Sequence, residues 1–189
     1  MNRSRITFAA ILAAGLAAFP QSNGTDQILA VARNTWPGSQ TVGIVCNYAK
    51  SGESIRAMLD SFAPGSAIKV MDVRHTDHIA TACVILGRIN PKYVLLLPND
   101  PLVHDGSFEA SFVIARMNYQ KIPTLATTPN ALSQGAWAVM GPATGNVLQV
   151  NPSLQEFIDA HGAPMSPSSP IAKYSGGGQR AALSVIAAF

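Results

Sequence analysis

The feature that most constrains the fold of this chain is a series of short apolar segments separated by longer segments with helical periodicity. Residues 41–46 (TVGIVC) and 93–97 (YVLLL) are apolar at nearly every position and do not alternate. Strands of this kind are buried on both faces, as in parallel sheets covered by helices on both sides. We therefore predict an α/β fold with a doubly wound, mostly parallel, flavodoxin-like sheet of five strands, in which residues 41–46 form the central strand.

The other predicted elements follow the same alternation. Further strands are predicted at residues 67–73, 122–126 and 136–140, with a short extra strand at 147–150. Helices are predicted from the apolar residues of segments 25–36, 55–62 and 79–86, and from the set Phe108, Phe112, Ala115 and Tyr119. Asn151 followed by Pro152 predicts another helix start.

The amino terminus has the layout of a secretory signal peptide. Arg3 and Arg5 precede an apolar run at residues 6–19, and small and polar residues follow as far as Gly24. The run is shorter than the roughly 20 residues of a transmembrane helix. A membrane anchor or a buried first helix is the alternative. We expect export into a bacterial periplasm, or secretion, with a signal peptide at residues 1–24 that is cleaved between Ala17 and Thr25.

The rest of the chain is predicted to form one domain and a tail. Its length of 189 residues suits a single domain, here residues 25–162. Residues 163–189 are predicted to be a Pro/Ser/Gly-rich linker followed by a C-terminal helix that places Leu183, Ile186 and Phe189 on one side. The formal charge is +3 without a dense basic run, so we expect no nucleic-acid partner.

Sequence signatures of catalysis are absent. The chain has no GxSxG, GxxxxGK[ST] or HExxH segment and no GxGxxG after a strand, so we expect no enzymatic activity, no catalytic residue and no cofactor. His75 and His78 could supply two metal ligands, but a polar loop and a helix start explain both residues without a metal, and we expect no metal site. Cys46 and Cys83 both lie in apolar patterns, and whether they form a disulfide stays open.

Polar residues at the strand exits point to a ligand site. In open α/β sheets, ligands bind beyond the carboxyl ends of the strands. We therefore predict a small-molecule site formed by Asn47, Tyr48, Ser51, Thr76, Asp100 and Thr127. Ser51 and Thr76 are expected to cap helices whose free amide groups favour polar or anionic groups. Tyr48 would stack on an apolar or aromatic group, and Asp100 would pair with an amine, so the expected ligand is polar or amino-acid-like.

Several of these segments resemble a known family in sequence order. TVGIVCNYAKSGESIRAML resembles the opening of the tryptophan/tyrosine-type substrate-binding proteins of ABC transporters, and DVRHTDHIATACVILGRINPKYVLLLPND and KIPTLATTPNALSQGAWAVMG resemble later segments. The resemblance covers residues 41–164. The matching residues are Gly43, Asn47, Ser51, Asp77, Ile79, Ala80, Leu97, Asp100, Ile122, Pro123, Gly135, Ala136, Gly141, Asn151, Gly162 and Pro164. Members of that family have two α/β lobes, whereas this chain is long enough for one.

The resemblance implies an exported, non-enzymatic solute-binding or sensing module that works as a single lobe, as a monomer or as a homodimer across the strand exits. An ABC permease or another periplasmic protein would then be its partner. Two alternatives remain. One is a periplasmic accessory protein that binds a protein and no small molecule. The other is a metal- or haem-linked redox accessory that uses His75, His78, Met71 or Cys46.

Overall fold

A computed structural model of the protein describes residues 24–140, 148–150, 156 and 179–188. The predicted signal peptide apart from Gly24, the predicted helix start at Asn151 and the predicted linker up to residue 178 lie outside the described residues. None of the helices described is long and apolar enough to cross a membrane.

Helices and strands alternate along the chain. The helices are α1 (Gly24–Thr35), α2 (Tyr48–Ala57), α3 (Ile79–Ile89), α4 (Phe108–Tyr119) and α5 (Pro129–Ser133), with short 3-10 helices at Leu59–Ser61 and Thr76–His78. The strands are β1 (Thr41–Cys46), β2 (Ala67–Asp72), β3 (Tyr93–Leu95), β4 (Thr124–Ala126), β5 (Ala138–Met140), β6 (Leu148–Val150) and β7 (Ala182–Ala187). The short helix α5 is not predicted from the sequence.

The strands form one sheet in the order β6-β5-β4-β3-β1-β2-β7. Every neighbouring pair is parallel except β5 and β6. The first five strands therefore have the order 2-1-3-4-5 of flavodoxin-like sheets, which confirms the predicted fold class. The prediction that residues 41–46 form the central strand is wrong, because β3 is the middle strand and β1 lies beside it, between β3 and β2. Strands β6 and β7 extend this sheet at its two edges.

Helices cover both faces of the sheet, as its apolar strands require. One core packs α1 and α2 on the sheet through Ile28, Leu29 and Ile55. The other packs α3, α4 and α5 on the opposite face through residues such as Leu86 and Ile114. Consecutive residues of β1 belong to different cores, because side chains of a strand point alternately to its two faces.

Gly43 allows α3 to pack closely on β1. A Cβ atom at Gly43 would lie 2.8 Å from Leu86 Cδ2 of α3, 3.0 Å from Val94 Cγ2 and 3.3 Å from Pro91 Cγ. A contact of 2.8 Å is shorter than real Cβ atoms show, so a larger residue here would force the Leu86 side chain or α3 itself to shift.

The predicted C-terminal helix is wrong. Residues Ala182–Ala187 form β7, which pairs in parallel with the whole of β2 from Ala67 to Asp72. The spacing of Leu183 and Ile186 is compatible with a helix, but a run of six residues is too short for periodicity to decide. The open edge of β2 offers backbone hydrogen bonds to a strand, and the sequence of the segment alone does not reveal that edge.

The apolar residues that predict α4 are not its buried side. Phe108 is 82% exposed, Phe112 40% and Tyr119 83%. The core side of α4 is formed instead by Ala110, Val113, Ile114 and Met117. Helix α4 has two apolar sides, and the aliphatic side packs on the sheet.

Candidate functional site

The order of the strands creates a crevice at the carboxyl edge of the sheet between β1 and β3. From β1 the chain passes through α2 to β2 on one side, whereas β3 continues through α4 to β4 on the other side. The two connections diverge at this point, which leaves a gap above the strand ends. In doubly wound sheets, this topological switch point is where ligands bind.

A cavity of about 590 Å³ opens at this switch point. This volume lies in the usual range for small-molecule sites, roughly 300–1,000 Å³. We call it the switch-point cavity, and its walls are formed by Gly24, Thr25, Asp26, Lys50, Ser51, Ser54, Ala57, Met58, Leu97, Pro98, Asn99, Asp100 and Thr127. These residues come from the start of α1, from one side of α2 and from the loops after β3 and β4.

Asp100 joins the two loops that border the crevice. Its side chain is 2% exposed. Oδ2 accepts hydrogen bonds from the backbone N–H of Asn47 at 2.9 Å and from the hydroxyl of Ser51 at 2.5 Å. Oδ1 accepts from the backbone N–H groups of Leu102 at 2.9 Å and Val103 at 2.7 Å. With two donors on each oxygen, this carboxylate positions the loop after β3 against the start of α2.

Because its oxygens are already engaged, Asp100 does not suit the role predicted for it from the sequence. An amine of a ligand would have to displace the Asn47, Ser51, Leu102 or Val103 donors from a buried carboxylate. Removing such donors leaves polar groups unsatisfied at a cost of about 1–3 kcal/mol each. We therefore assign Asp100 to positioning the cavity wall.

The amino-terminal end of α2 is occupied by carboxylates of the protein itself. Asp72 Oδ1 accepts from the backbone N–H of Tyr48 at 2.9 Å, while Asp100 accepts from that of Asn47. Burial by itself would raise the pKa of Asp72, but hydrogen bonds from Arg74 and Tyr48 outweigh it, so the pKa lies below its ordinary value. The helix end that was predicted to attract an anionic ligand therefore already binds two carboxylates of the protein.

A third buried carboxylate fixes the wall contributed by the loop after β4. Asp105 Oδ2 accepts from the backbone N–H of Thr127 at 2.6 Å and from its hydroxyl at 2.5 Å. The backbone N–H of Asp105 in turn donates to the carbonyl oxygen of Leu97 at 3.0 Å, which closes the loop after β3 at its base. The cavity walls are thus held by side chains behind them.

The structure brings together four of the six predicted site residues. Ser51, Asp100 and Thr127 line the switch-point cavity, and Asn47 lies directly behind it through its bond to Asp100. Ser51 is not a cap, because it is the fourth residue of α2 and Asn47 is the N-cap. The hydroxyl of Ser51 faces Asp100 instead.

Tyr48 and Thr76 lie outside the cavity wall. The ring of Tyr48 lies along its own helix, where a Cβ atom at Gly52 would be 3.1 Å from Tyr48 Cζ. Its hydroxyl accepts a hydrogen bond from Arg56 at 2.8 Å. Thr76 is exposed and begins a 3-10 helix whose N-cap is His75, so the predicted cap at Thr76 is wrong.

Sequence reasoning missed the residues that α1 and α2 contribute. Lys50 and Ser54 of α2 and its C-cap Met58 follow each other at intervals of four residues, so they lie on one side of the helix. That spacing was visible in the sequence. Asp26, at the start of α1, faces the same cavity, and its Oδ1 accepts a hydrogen bond from the Ser61 hydroxyl at 2.7 Å. The cavity wall therefore contains one ammonium and one carboxylate besides Asp100.

The cysteines are free thiols in separate cores. Cys46 belongs to the core under α1 and α2, and Cys83 to the core on the other face of the sheet. Burial, and then the nearby Asp100 and Asp72 carboxylates, raise the pKa of Cys46 far above its ordinary value, so its thiol stays protonated. Burial likewise raises the pKa of Cys83 to about 11. Neither has the thiolate character that a nucleophile needs.

The two histidines of the loop after β2 are neighbours. The rings of His75 and His78 meet edge to face with centroids 5.4 Å apart. Among the residues that the structure describes, no group of three or more His, Cys, Asp or Glu side chains is arranged to hold a metal ion.

Comparison with known proteins returns a weak structural likeness. No protein-family model matches the chain, and no curated protein matches it. Among solved structures, it is similar to the ABC domain in complex with L-Trp from Streptococcus pneumonia, with 13% identity and a TM-score of 0.48. The likeness covers 62% of this chain and 39% of that one, so this chain spans well under half the length of that structure. The chain itself, by the order of its strands, is an α/β protein of the flavodoxin-like class.

Proposed function

We propose that this protein is an exported, non-enzymatic module that binds a small zwitterionic solute of the amino-acid type in the switch-point cavity. The observation that carries the proposal is the cavity itself, which lies at the topological switch point of the sheet and has walls fixed by Asp100 and Asp105. A preformed concave site with a few placed polar groups is the usual form of a small-molecule site.

The charges of the cavity wall favour a zwitterion. Lys50 offers an ammonium to a carboxylate, and Asp26 offers a carboxylate to an amine. Asn99 and Thr127 add an amide and a hydroxyl, which can donate and accept hydrogen bonds. Met58, with Ala57, Leu97 and Pro98, supplies apolar contact for the rest of the ligand.

The binding proposal is tested with a panel of the twenty amino acids and small organic acids. Ligands that raise the melting temperature are then measured by calorimetry with the wild type, Lys50→Met and the control Lys92→Met. Lys92 is an exposed lysine that precedes β3, at the opposite edge of the sheet. A charge-assisted hydrogen bond contributes about 1.5–3 kcal/mol, so its loss should raise the dissociation constant of Lys50→Met about 10- to 150-fold and leave that of Lys92→Met unchanged.

Two results would contradict the binding proposal. If no compound of the panel changes the melting temperature at millimolar concentration, the accessory role without a small ligand is favoured. If a ligand binds and its dissociation constant is the same for Lys50→Met and Lys92→Met, the solute lies elsewhere on the protein.

The export part of the proposal rests on the order of basic, apolar and small residues before Thr25. Expression of the full chain in a bacterium, followed by mass spectrometry of the periplasmic fraction, should show a new amino terminus between Ala17 and Thr25. Recovery of the protein only in the cytoplasm, with Met1 still present, would contradict it.

A further inference from the structure

Helix α4 exposes an apolar stripe that the described part of the chain leaves open. The stripe consists of Phe108, Phe112, Ala115 and Tyr119, all of which are exposed. At 100° per residue these four lie within about 60° of each other, opposite the side of α4 that packs on the sheet. Single exposed apolar residues are ordinary, but a contiguous stripe with three aromatic rings is typical of an interaction surface.

The spacing of the stripe is that of a coiled-coil contact. Successive members are separated by four, three and four residues, which places them alternately at the d and a positions of a heptad. Glu109 and Arg116 each follow a d position directly, so both occupy e positions on the same side of the stripe. The corresponding g positions are held by the uncharged residues Ser111 and Asn118.

We propose that α4 is a dimerisation surface that packs antiparallel on α4 of a second copy of this chain. In a two-fold antiparallel pair centred between residues 113 and 114, Phe108 faces Tyr119 of the second copy. Phe112 then faces Ala115 of the second copy, so that a large side chain meets a small one. The stripe is therefore complementary to itself, as a two-fold interface requires.

Charge favours the same arrangement. In an antiparallel pair, an e position lies beside an e position, because both flank the same side of the contact. Glu109 then lies near Arg116 of the second copy, and the two-fold axis repeats the pair. In a parallel pair, e would lie beside g, and both charged residues would face the neutral Ser111 and Asn118. Opposed helix dipoles also favour the antiparallel orientation.

The size of the stripe sets the strength of the dimer. Each aromatic side chain buries about 150–250 Å² when fully covered, so the three rings supply several hundred Å² per chain. A stable interface of standard size buries roughly 800 Å² per partner. We therefore expect a reversible dimer whose population depends on protein concentration.

Sedimentation velocity of the full chain over a range of about 1 μM to 1 mM tests the proposal. The wild type should pass from monomer to dimer, and Phe112→Ser should raise the dissociation constant about tenfold or more, since central aromatic residues dominate such contacts. Glu109→Lys and Arg116→Glu should each weaken the dimer. The double variant should regain much of the affinity, because every ion pair is restored with its charges reversed. Glu53→Lys, an exposed residue of α2, is the control and should leave the dimer unchanged.

Three outcomes would overturn the proposal. The first is a wild type that stays monomeric throughout. The second is a dimer that the double variant fails to restore, which would mean another orientation or another surface. The third is a marked fall in the melting temperature of the monomer with Phe112→Ser, which would mean that another part of the same chain covers the stripe.

Discussion

Substitution of Asp100 by Asn tests how the wall of the switch-point cavity is held together. The change keeps the size of the side chain but replaces one acceptor oxygen by an NH₂ group. The amide oxygen can keep the N–H groups of Leu102 and Val103, which lie at 2.9 and 2.7 Å in the wild type. The NH₂ group then faces the N–H of Asn47 and the hydroxyl of Ser51. The hydroxyl can rotate to accept, but the N–H of Asn47 has no acceptor left.

The magnitude follows from these four contacts. A buried N–H without an acceptor costs about 1–3 kcal/mol, and bonds to a neutral acceptor are weaker by about 1 kcal/mol than bonds to a carboxylate. Relief of the desolvation of the charge offsets part of the loss. We expect Asp100→Asn to lower the free energy of unfolding by about 2–4 kcal/mol.

Urea unfolding at pH 7 and 25 °C, followed by circular dichroism, measures this loss. Asp77→Asn is the matched control, because Asp77 is exposed in the 3-10 helix after β2. The free energy of unfolding of the control should lie within about 0.5 kcal/mol of the wild-type value. A loss for Asp100→Asn no larger than that of the control would refute the view that this carboxylate holds the two loops together.

The remaining predictions concern acid stability and packing. Asp72→Asn should lower the free energy of unfolding by about 1–2 kcal/mol at pH 7, because the carboxylate accepts hydrogen bonds from Arg74 and from the start of α2. Since folding lowers the pKa of Asp72, its contribution is present above pH about 4 and is lost as the pH falls through the folded-state pKa. A difference between wild type and Asp72→Asn that persists unchanged at pH 2.5 would contradict this assignment. Gly43→Ala should lower the free energy of unfolding by about 1–3 kcal/mol, because the new Cβ atom would lie 2.8 Å from Leu86 Cδ2. An unchanged or raised melting temperature would show that α3 can move away freely.

The central part of the fold could be predicted because its signals are local. Continuous apolar runs such as Thr41–Cys46 and the breaks between them specify parallel strands separated by helices. Ligands of such sheets bind at the carboxyl ends of the strands. This rule alone predicts that Ser51, Asp100 and Thr127 share one site, and all three line the switch-point cavity.

The wrong predictions concern features that depend on distant neighbours. The side of α4 that packs on the sheet could not be chosen from periodicity, because Val113, Ile114 and Met117 form a second apolar side of equal regularity. Strand β7 depends on pairing with β2, far away in sequence. The role of Asp100 depends on four donors from two loops, and only the folded chain shows that they meet at one carboxylate.

The most direct test of the proposed function is to map the ligand on the protein. The ¹⁵N-labelled protein is titrated with an amino acid that raises its melting temperature, and backbone amide shifts are followed by NMR. We expect the largest shifts at Lys50, Asn99 and Thr127, at the carboxyl edge of the sheet. Amides at the opposite edge, such as those of Lys92 and Tyr93, should stay unchanged. Shifts concentrated away from the switch-point cavity at saturating ligand would contradict the proposal that this crevice is the binding site.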